Sequence, residues 1–322
     1  MSDENALREV IVAKKTIEAH NMASFELVAS DGNELPAFSA GSHIDVGIPG
    51  GFTRQYSLVN PSSERHRYLI GIWRDANSRG GSKALYDTVQ EGDKLQVSLP
   101  RNRFRVPSKT ARALLLARGI GATAILSIAD YLKGKGIPFE FHYVFAGMSP
   151  GSFKATIEAS PYAEDTKFYS EFAADNQPLV AAEILANRPP DTQLFICGAD
   201  WWQDPIIKHA KETSGFKAEC IHSERFTAKL SGPVLDKVFN VTVKSSGRVL
   251  TIPGDQDTAT YLNDNGVFVP TSCEQGMCLS CKTKVLEGEP DHRDQALQEA
   301  DKAQGFFLPC ISRGKTDLVL DL

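Results

Sequence analysis

Through the first third of the chain, apolar and polar residues alternate with a period of two. The runs EVIVAKKTI (9–17), SFELVA (24–29), HIDVGI (43–48), QYSLV (55–59), YLIGIW (68–73) and KLQVSLP (94–100) each place their apolar residues on one face of an extended chain. Turn residues separate them: Asp31-Gly32, Pro49-Gly50-Gly51 and Glu91-Gly92-Asp93. Short strands at this spacing predict an antiparallel β-barrel or sandwich. Near residue 110 the pattern changes. RALLLA reads as a buried strand (113–117), RGIG as a glycine turn, and ATAILSIADYLK as a helix (122–133). IPFEFHYVFAG, TKFYSEF and TQLFICG supply more strands, and WWQDPIIKHAKE follows as a helix. Strands alternating with helices predict a parallel, doubly wound sheet whose ligands lie at the carboxyl ends of the strands.

A third pattern begins near residue 238. NVTVKSSGRVLTI (240–252) has the form of a hairpin around Ser-Ser-Gly. DTATYLNDNG (257–266) has the form of a helix, with Asp257 or Thr258 as its cap and Gly266 as its stop. KTKVLEGE and DLVLDL are further strands. Between the two patterns, TAKLSGP (227–233) reads as a linker.

The 322 residues suit two or three domains. A net charge of −5 without a run of like charges lacks the basic footprint of a nucleic-acid binder. The polar start MSDENALREV lacks the apolar core of a secretory signal, and ALLLA is too short to span a bilayer. The expectation is a cytoplasmic, monomeric protein that binds neither membrane nor nucleic acid. Six cysteines are too few for a disulfide scaffold, and in a reducing compartment clustered cysteines bind metal or do redox chemistry.

Four of the six stand as Cys273, Cys278, Cys281 and Cys310, spaced C-x4-C-x2-C-x28-C. Zinc sites usually show paired C-x2-C units. A gap of four followed by a gap of two is the plant-type spacing for a 2Fe-2S cluster. Gly276 and Ser280 let the backbone approach and turn N–H groups toward the sulfurs. A zinc ribbon and buried structural cysteines are the competing readings; Cys197 and Cys220 lie far away in sequence and are not needed as ligands. Residues 238–322 resemble a plant-type ferredoxin domain, and GEPDHRDQAL with LPCISRGKTDLVLDL is similar to the C-terminal end of the phthalate dioxygenase reductase family.

A cluster that takes one electron at a time calls for an electron source upstream. In RQYSL, Arg54, Tyr56 and Leu58 share one strand face, and Gln55 and Ser57 the other. An Arg–Tyr pair can hold a phosphate and stack on a ring. In WRDANSRGGS (73–82), Gly80 and Gly81 free the backbone, and Ser82 is the expected cap of the helix KALYDTV, whose N-terminus suits a phosphate. Each piece is weak alone. Together they resemble the ferredoxin–NADP reductase superfamily. The resemblance implies that Arg54, Tyr56, Ser57, Gly80, Gly81 and Ser82 bind flavin, as FMN in the phthalate dioxygenase reductase branch. It places Ser57 at the reactive N5 edge and offers Arg74 as a phosphate or ring contact.

The strand ends RGIGAT and FICGAD bring in Gly119, Gly121, Thr123, Cys197 and Gly198. By resemblance these line the NADH site, with Cys197-Gly198 at the nicotinamide, and Phe226 of HSERF covers the flavin. Ser57, Cys197 and Phe226 are therefore the candidate catalytic residues. Arg118 and Ala124 depart from the family pattern, which has Gly and Pro there. FAGMSPGS carries no arginine cluster of the kind that favours a 2′-phosphate, so NADH is the expected donor; Asp175 is a candidate ribose contact. His292, in PDHRDQ, is expected to be structural and paired with Asp291 or a backbone group.

The resulting expectation is a multidomain chain: an antiparallel β-barrel flavin domain (1–106), an α/β doubly wound nucleotide domain (107–227), a linker (228–237), and an α+β β-grasp ferredoxin domain (238–322). The resemblance implies a reductase of an oxygenase system in aromatic catabolism. NADH would supply FMN, then the 2Fe-2S cluster, then a Rieske-type terminal oxygenase or O-demethylase. A haem monooxygenase as acceptor, or a ferredoxin-like carrier or sensor without NADH turnover, remain alternatives.

Overall fold

The computed structural model describes residues 7–75, 80–145, 153–170, 179–226, 236–271, 274, 276, 279–294 and 296–322. The chain forms two compact units, Met1–Phe226 and Thr227–Leu322.

The first unit begins with the strands predicted from period-two alternation. These are β1 (Arg8–Ala19), β2 (Met22–Ala29), β3 (Ser42–Ile48), β4 (Phe52–Ser57) and β5 (Tyr68–Trp73). Helix α1 (Gly81–Thr88) and strands β6 (Lys94–Val97) and β7 (Arg101–Asn102) follow. Their order is β4-β3-β6-β1-β2-β5, with β7 on β3, and every pairing is antiparallel. The Leu58–Ile70 bridge and the bond from Val59 N–H to the Leu69 carbonyl (2.8 Å) bring the sheet's two edges together. The sheet is thereby curled toward a barrel, joined where β4 runs out beside β5. Val10, Val12, Phe25, Leu27, Ile44, Val46 and Ile70 fill the inside, with Leu85 of α1 against them. Ser82 does not cap α1. The cap is Gly80, in the left-handed region at φ +92°, which leaves Ser82 inside the first turn.

The second half of this unit contains β8 (Ala113–Arg118), α2 (Ala122–Gly134), β9 (Phe139–Phe145), α3 (Lys154–Glu158) and β10 (Thr166–Ser170). It continues with α4 (Ala181–Leu185), β11 (Gln193–Cys197), α5 (Asp200–Glu212) and β12 (Ile221–Glu224). All five strands are parallel, in the order β10-β9-β8-β11-β12. The continuous run ALLLA is explained by burial on both faces. Leu115 and Ala117 pack with Ile125 and Ile128 of α2, while Leu114 and Leu116 pack with Leu185 and Ile206 on the other side. Strand order reverses between β8 and β11, and a crevice opens at such a point beyond the strands' carboxyl ends.

The second unit contains β13 (Phe239–Val243), β14 (Val249–Ile252), α6 (Thr258–Asp264), β15 (Thr283–Glu287), β16 (Pro290–Asp291) and α7 (Glu299–Ala303). Strands β17 (Phe306–Phe307), β18 (Arg313–Gly314) and β19 (Leu318–Leu320) complete it. The hairpin β13–β14 falls where Ser-Ser-Gly placed it. The sheet order is β14-β13-β19-β15-β17; β13 and β19 run parallel and the other pairs antiparallel. Ala259 and Leu262 of α6 pack with Val241, Val243, Leu318 and Leu320 in one core, as a β-grasp domain requires. Asp257 caps α6 by accepting from Thr260 N–H at 2.8 Å, and Gly266, at φ +75°, ends it. His292 differs from expectation. Its nearest carboxylate is Asp294, at 3.8 Å, because Asp291 is taken by Arg293 at 2.7 Å.

Among the described residues no helix is long and apolar enough to cross a membrane.

Candidate flavin, nucleotide and iron–sulfur sites

The edge of the barrel at β4 and α1 is shaped for a ligand. Arg54 lies over the Phe52 ring, 5.6 Å from its centroid. A Cβ on Gly81 would come within 2.8 Å of the Arg54 side chain, and one on Gly80 within 2.9 Å of Phe52. The two glycines therefore let the start of α1 sit against the arginine. Tyr56 Oη and Ser82 Oγ are buried here without a hydrogen-bond partner, and burial pushes the Tyr56 phenol far up. Orphaned buried polar atoms beside a guanidinium and a helix start are what a phosphorylated ring would satisfy. The residues present fit a flavin phosphate. Arg74 is engaged otherwise: both its Nε (2.7 Å) and Nη2 (3.0 Å) pair with Asp87 of α1.

At the other end of β4 the barrel meets the parallel sheet. Ser57 is buried and its Oγ donates to Glu224 Oε2 at 3.3 Å. Glu224 ends β12, and burial pushes its carboxyl up to about 7 while the Ser57 bond opposes that rise. Cys197 ends β11, fully buried; its thiol is held well above the ordinary range by burial and then by Glu224. It is a protonated, inert thiol rather than a nucleophile. Gln203 of α5 donates from Nε2 to the Gly198 carbonyl at 2.7 Å and to the Glu224 carbonyl at 3.4 Å, tying the two strand ends together. Across the β3–β4 ladder from Ser57 stands His43, buried, its pKa lowered to about 4 chiefly by desolvation and then by Arg101.

Gly121 is required where it stands, because a Cβ there would collide with the Cys197 carbonyl. Gly119 takes φ +54° facing open space. Thr123 is turned inward: it is buried, its Oγ1 donates to the Ile120 carbonyl at 2.8 Å, and a Cβ on Gly71 would come within 2.6 Å of its methyl. It is a packing residue, not an open ligand contact. Phe226 is 38% exposed, enough for a ring that covers a ligand. Neighbouring Arg225 is paired with Asp200 and Asp204. Asp175 and most of FAGMSPGS lie outside the described residues.

In the second unit Cys281 and Cys310 are buried, while Cys273 and Cys278 lie outside the described residues. Gly276 N–H donates to Cys310 Sγ at 3.2 Å. Gly276 takes φ +66°, and a Cβ there would come within 2.6 Å of Ile311 and 3.0 Å of Asp294. Glu274 and Leu279, also on this loop, take positive φ. Left-handed residues at 274, 276 and 279, with one N–H aimed at a buried cysteine sulfur, fit an iron–sulfur ligand set.

Sequence reasoning placed Ser57, Cys197 and Phe226 together but missed Glu224, His43 and Gln203. Glu224 sits inside the HSERF segment that pointed to Phe226, so the signal was present; His43 and Gln203 carry no local mark.

Known proteins resemble this chain over nearly its whole length. Residues 241–315 match the 2Fe-2S iron-sulfur cluster binding domain. Vanillate O-demethylase oxidoreductase from Pseudomonas sp. (strain HR199 / DSM 7063) is 40% identical over 98% of this chain and 99% of its own. The solved structure of a phthalate dioxygenase reductase, described as modular for electron transfer from pyridine nucleotides to [2Fe-2S], superposes with a TM-score of 0.80. It is 33% identical and covers 98% of both chains. An intact type IV self-sufficient cytochrome P450 monooxygenase also has a TM-score of 0.80, at 28% identity, over 98% of this chain and 41% of that one.

The chain is an oxidoreductase of the NADH-dependent flavin iron–sulfur class. It belongs to the phthalate dioxygenase reductase family, whose members use FMN, a 2Fe-2S cluster and NADH.

Proposed function

We propose that this protein is the reductase component of an oxygenase system, delivering electrons from NADH to a Rieske-type terminal oxygenase or O-demethylase. The observation that carries the reading is the meeting of Ser57 with Glu224, beside Cys197, at the carboxyl ends of β11 and β12, on a chain that matches a vanillate O-demethylase oxidoreductase over 98% of its length. When bound, FMN accepts hydride from NADH and the 2Fe-2S cluster accepts single electrons from the flavin.

The chain's own residues do the rest. Arg54, Gly80, Gly81 and Ser82 receive the flavin phosphate, and Tyr56 meets its ring. The Ser57 hydroxyl, steered by Glu224, marks the edge where a proton is held. Glu224, its carboxyl pushed up to about 7 by desolvation, can accept or return that proton at Oε2. Buried Cys197 and Gly198 give a small, dry wall for the nicotinamide, and Phe226 excludes water from the other face. Cys273, Cys278, Cys281 and Cys310 hold the cluster. We assign these roles to a chain divided as 1–106, 107–227, a linker 228–237 and 238–322, acting as a cytoplasmic monomer.

The test is the visible spectrum of the purified holoprotein under anaerobic titration with NADH. Flavin and iron–sulfur absorption that both bleach support the proposal. Absence of iron and sulfide, or a cluster that NADH never reduces, would overturn it. A haem acceptor is the second reading, favoured by the same modules occurring in the P450 chain. Rates of reoxidation by a vanillate-type Rieske oxygenase and by a bacterial P450 decide between them.

A further inference from the structure

Arg118 stands at the reversal of strand order, at the carboxyl end of β8. Gly198 directly follows β11, the neighbouring strand. A Cβ on Gly198 would lie 3.0 Å from Arg118 Cβ and 2.8 Å from the Trp202 ring. The stem of the arginine therefore lines the crevice directly beside the Cys197-Gly198 turn. Its guanidinium lies over the Trp201 indole, 4.4 Å from the ring centroid. Trp201 is 65% exposed, so it is no core ring. It is a surface platform, and the arginine occupies its face.

Three physical points give this pair a task. Ligands of such sheets enter at the strand-order reversal, beyond the carboxyl ends. The dinucleotide bridge carries two negative charges, and a planar guanidinium matches phosphate oxygens two at a time. A guanidinium already stacked on an indole loses less freedom on binding than a loose one. With nicotinamide at Cys197, the ligand continues outward through its ribose to the pyrophosphate. Next to Arg118, Gly119 faces open space, so the approach is not blocked by a side chain.

We infer that Arg118, held in place by Trp201, binds the bridging pyrophosphate of the reduced dinucleotide and sets the enzyme's preference for dinucleotide over smaller hydride donors. This rests on NADH being the donor, as proposed above. The opposite role, a side chain that merely narrows the cleft, predicts effects of opposite sign.

The experiment is steady-state ferricyanide reduction by holoprotein with three donors. NADH carries two phosphates, reduced nicotinamide mononucleotide one, and 1-benzyl-1,4-dihydronicotinamide none. For Arg118→Ala, the preference in kcat/KM for NADH over the benzyl compound should fall about ten- to hundredfold, through KM. The mononucleotide should fall in between. Arg118→Lys should recover part of the preference, and Trp201→Leu should lose about two- to fivefold. The lysine variant and added sodium chloride, which should erode the wild-type preference, keep the test open if the alanine variant folds poorly. A preference that is unchanged or higher in Arg118→Ala overturns the inference. A wild-type protein that oxidises no NADH instead overturns the function proposed above.

Discussion

The two redox sites are built by opposite strategies. The cluster loop is local: three of its four cysteines fall within nine residues, and Gly276 supplies both the turn and a hydrogen bond to Cys310. The hydride site is convergent: Ser57, Cys197 and Glu224 come from β4, β11 and β12 and meet only when barrel and sheet are folded. A local site depends on its own few residues and fails outright when one ligand goes. A convergent site depends on burial and tuned protonation, and it should degrade by degrees.

The largest effect should come from the local site. Cys310→Ser removes a buried ligand, so iron–sulfur absorption should disappear and cytochrome c reduction with it. Flavin content and NADH–ferricyanide activity should survive. Metal analysis and the two assays check this, and loss of both activities together would show that the two sites are not separable.

Next comes Glu224→Gln at the convergent site. Flavin reduction should slow by about 10²-fold, measured by stopped flow. The pH dependence has a definite sign. Burial raises the carboxyl from about 4.5 to about 7, so the folded state binds the proton more tightly. Its stabilising contribution is complete below about pH 4.5 and is lost as pH rises through 7. Wild-type stability should therefore fall across that window, by an amount of the order of 1–3 kcal/mol, and the glutamine variant should lack that slope. Urea midpoints at a series of pH values provide the measurement.

The same contrast explains how much could be read before folding. The C-x4-C-x2-C spacing carries its geometry in sequence, so the cluster and its domain were legible at once. Most strands of the three larger sheets were legible too, because period-two alternation and the two-face burial of ALLLA leave direct marks; the short strands β7, β12 and β17, and the β16–β18 pair, carry too few residues to show a period. What stayed hidden depends on distant packing. Glu224 looks like an ordinary surface acid until β12 sets it, half-buried, against Ser57. Thr123 looks like a ligand contact in RGIGAT, yet its methyl packs against Gly71 of the barrel, some fifty residues earlier in sequence. Serine favours a cap position, which points to Ser82, but the left-handed Gly80 takes it.

A smaller effect should follow from filling the phosphate cradle. In Gly81→Ala the new methyl would press on the Arg54 side chain, whose atoms lie 2.8 Å from it. Arg54 is flexible and can yield, so the protein should fold. Moving the guanidinium should weaken FMN binding about tenfold, seen as flavin lost on dilution. Iron content should not change.

The smallest predicted effect tests whether the local site is as self-contained as its spacing suggests. Asp257 caps α6 through Thr260 N–H, and α6 is only seven residues long. This helix is also tied to the last ligand's segment: Thr258 Oγ1 donates to the Ser312 carbonyl at 3.1 Å, and Ala259 N–H to the Pro309 carbonyl at 2.9 Å. Those two carbonyls flank Cys310. Asp257→Ala should cost about 1 kcal/mol, the usual loss of a cap. If the cysteine loop stands alone, that cost should appear only as a lower urea midpoint for the second unit. If α6 helps hold Cys310, cluster loss under a chelator should also quicken about fivefold, since loosening the helix by that energy raises the open population by the same factor. The bonds from α6 to both sides of Cys310 favour the second outcome, with flavin content and NADH–ferricyanide activity unchanged.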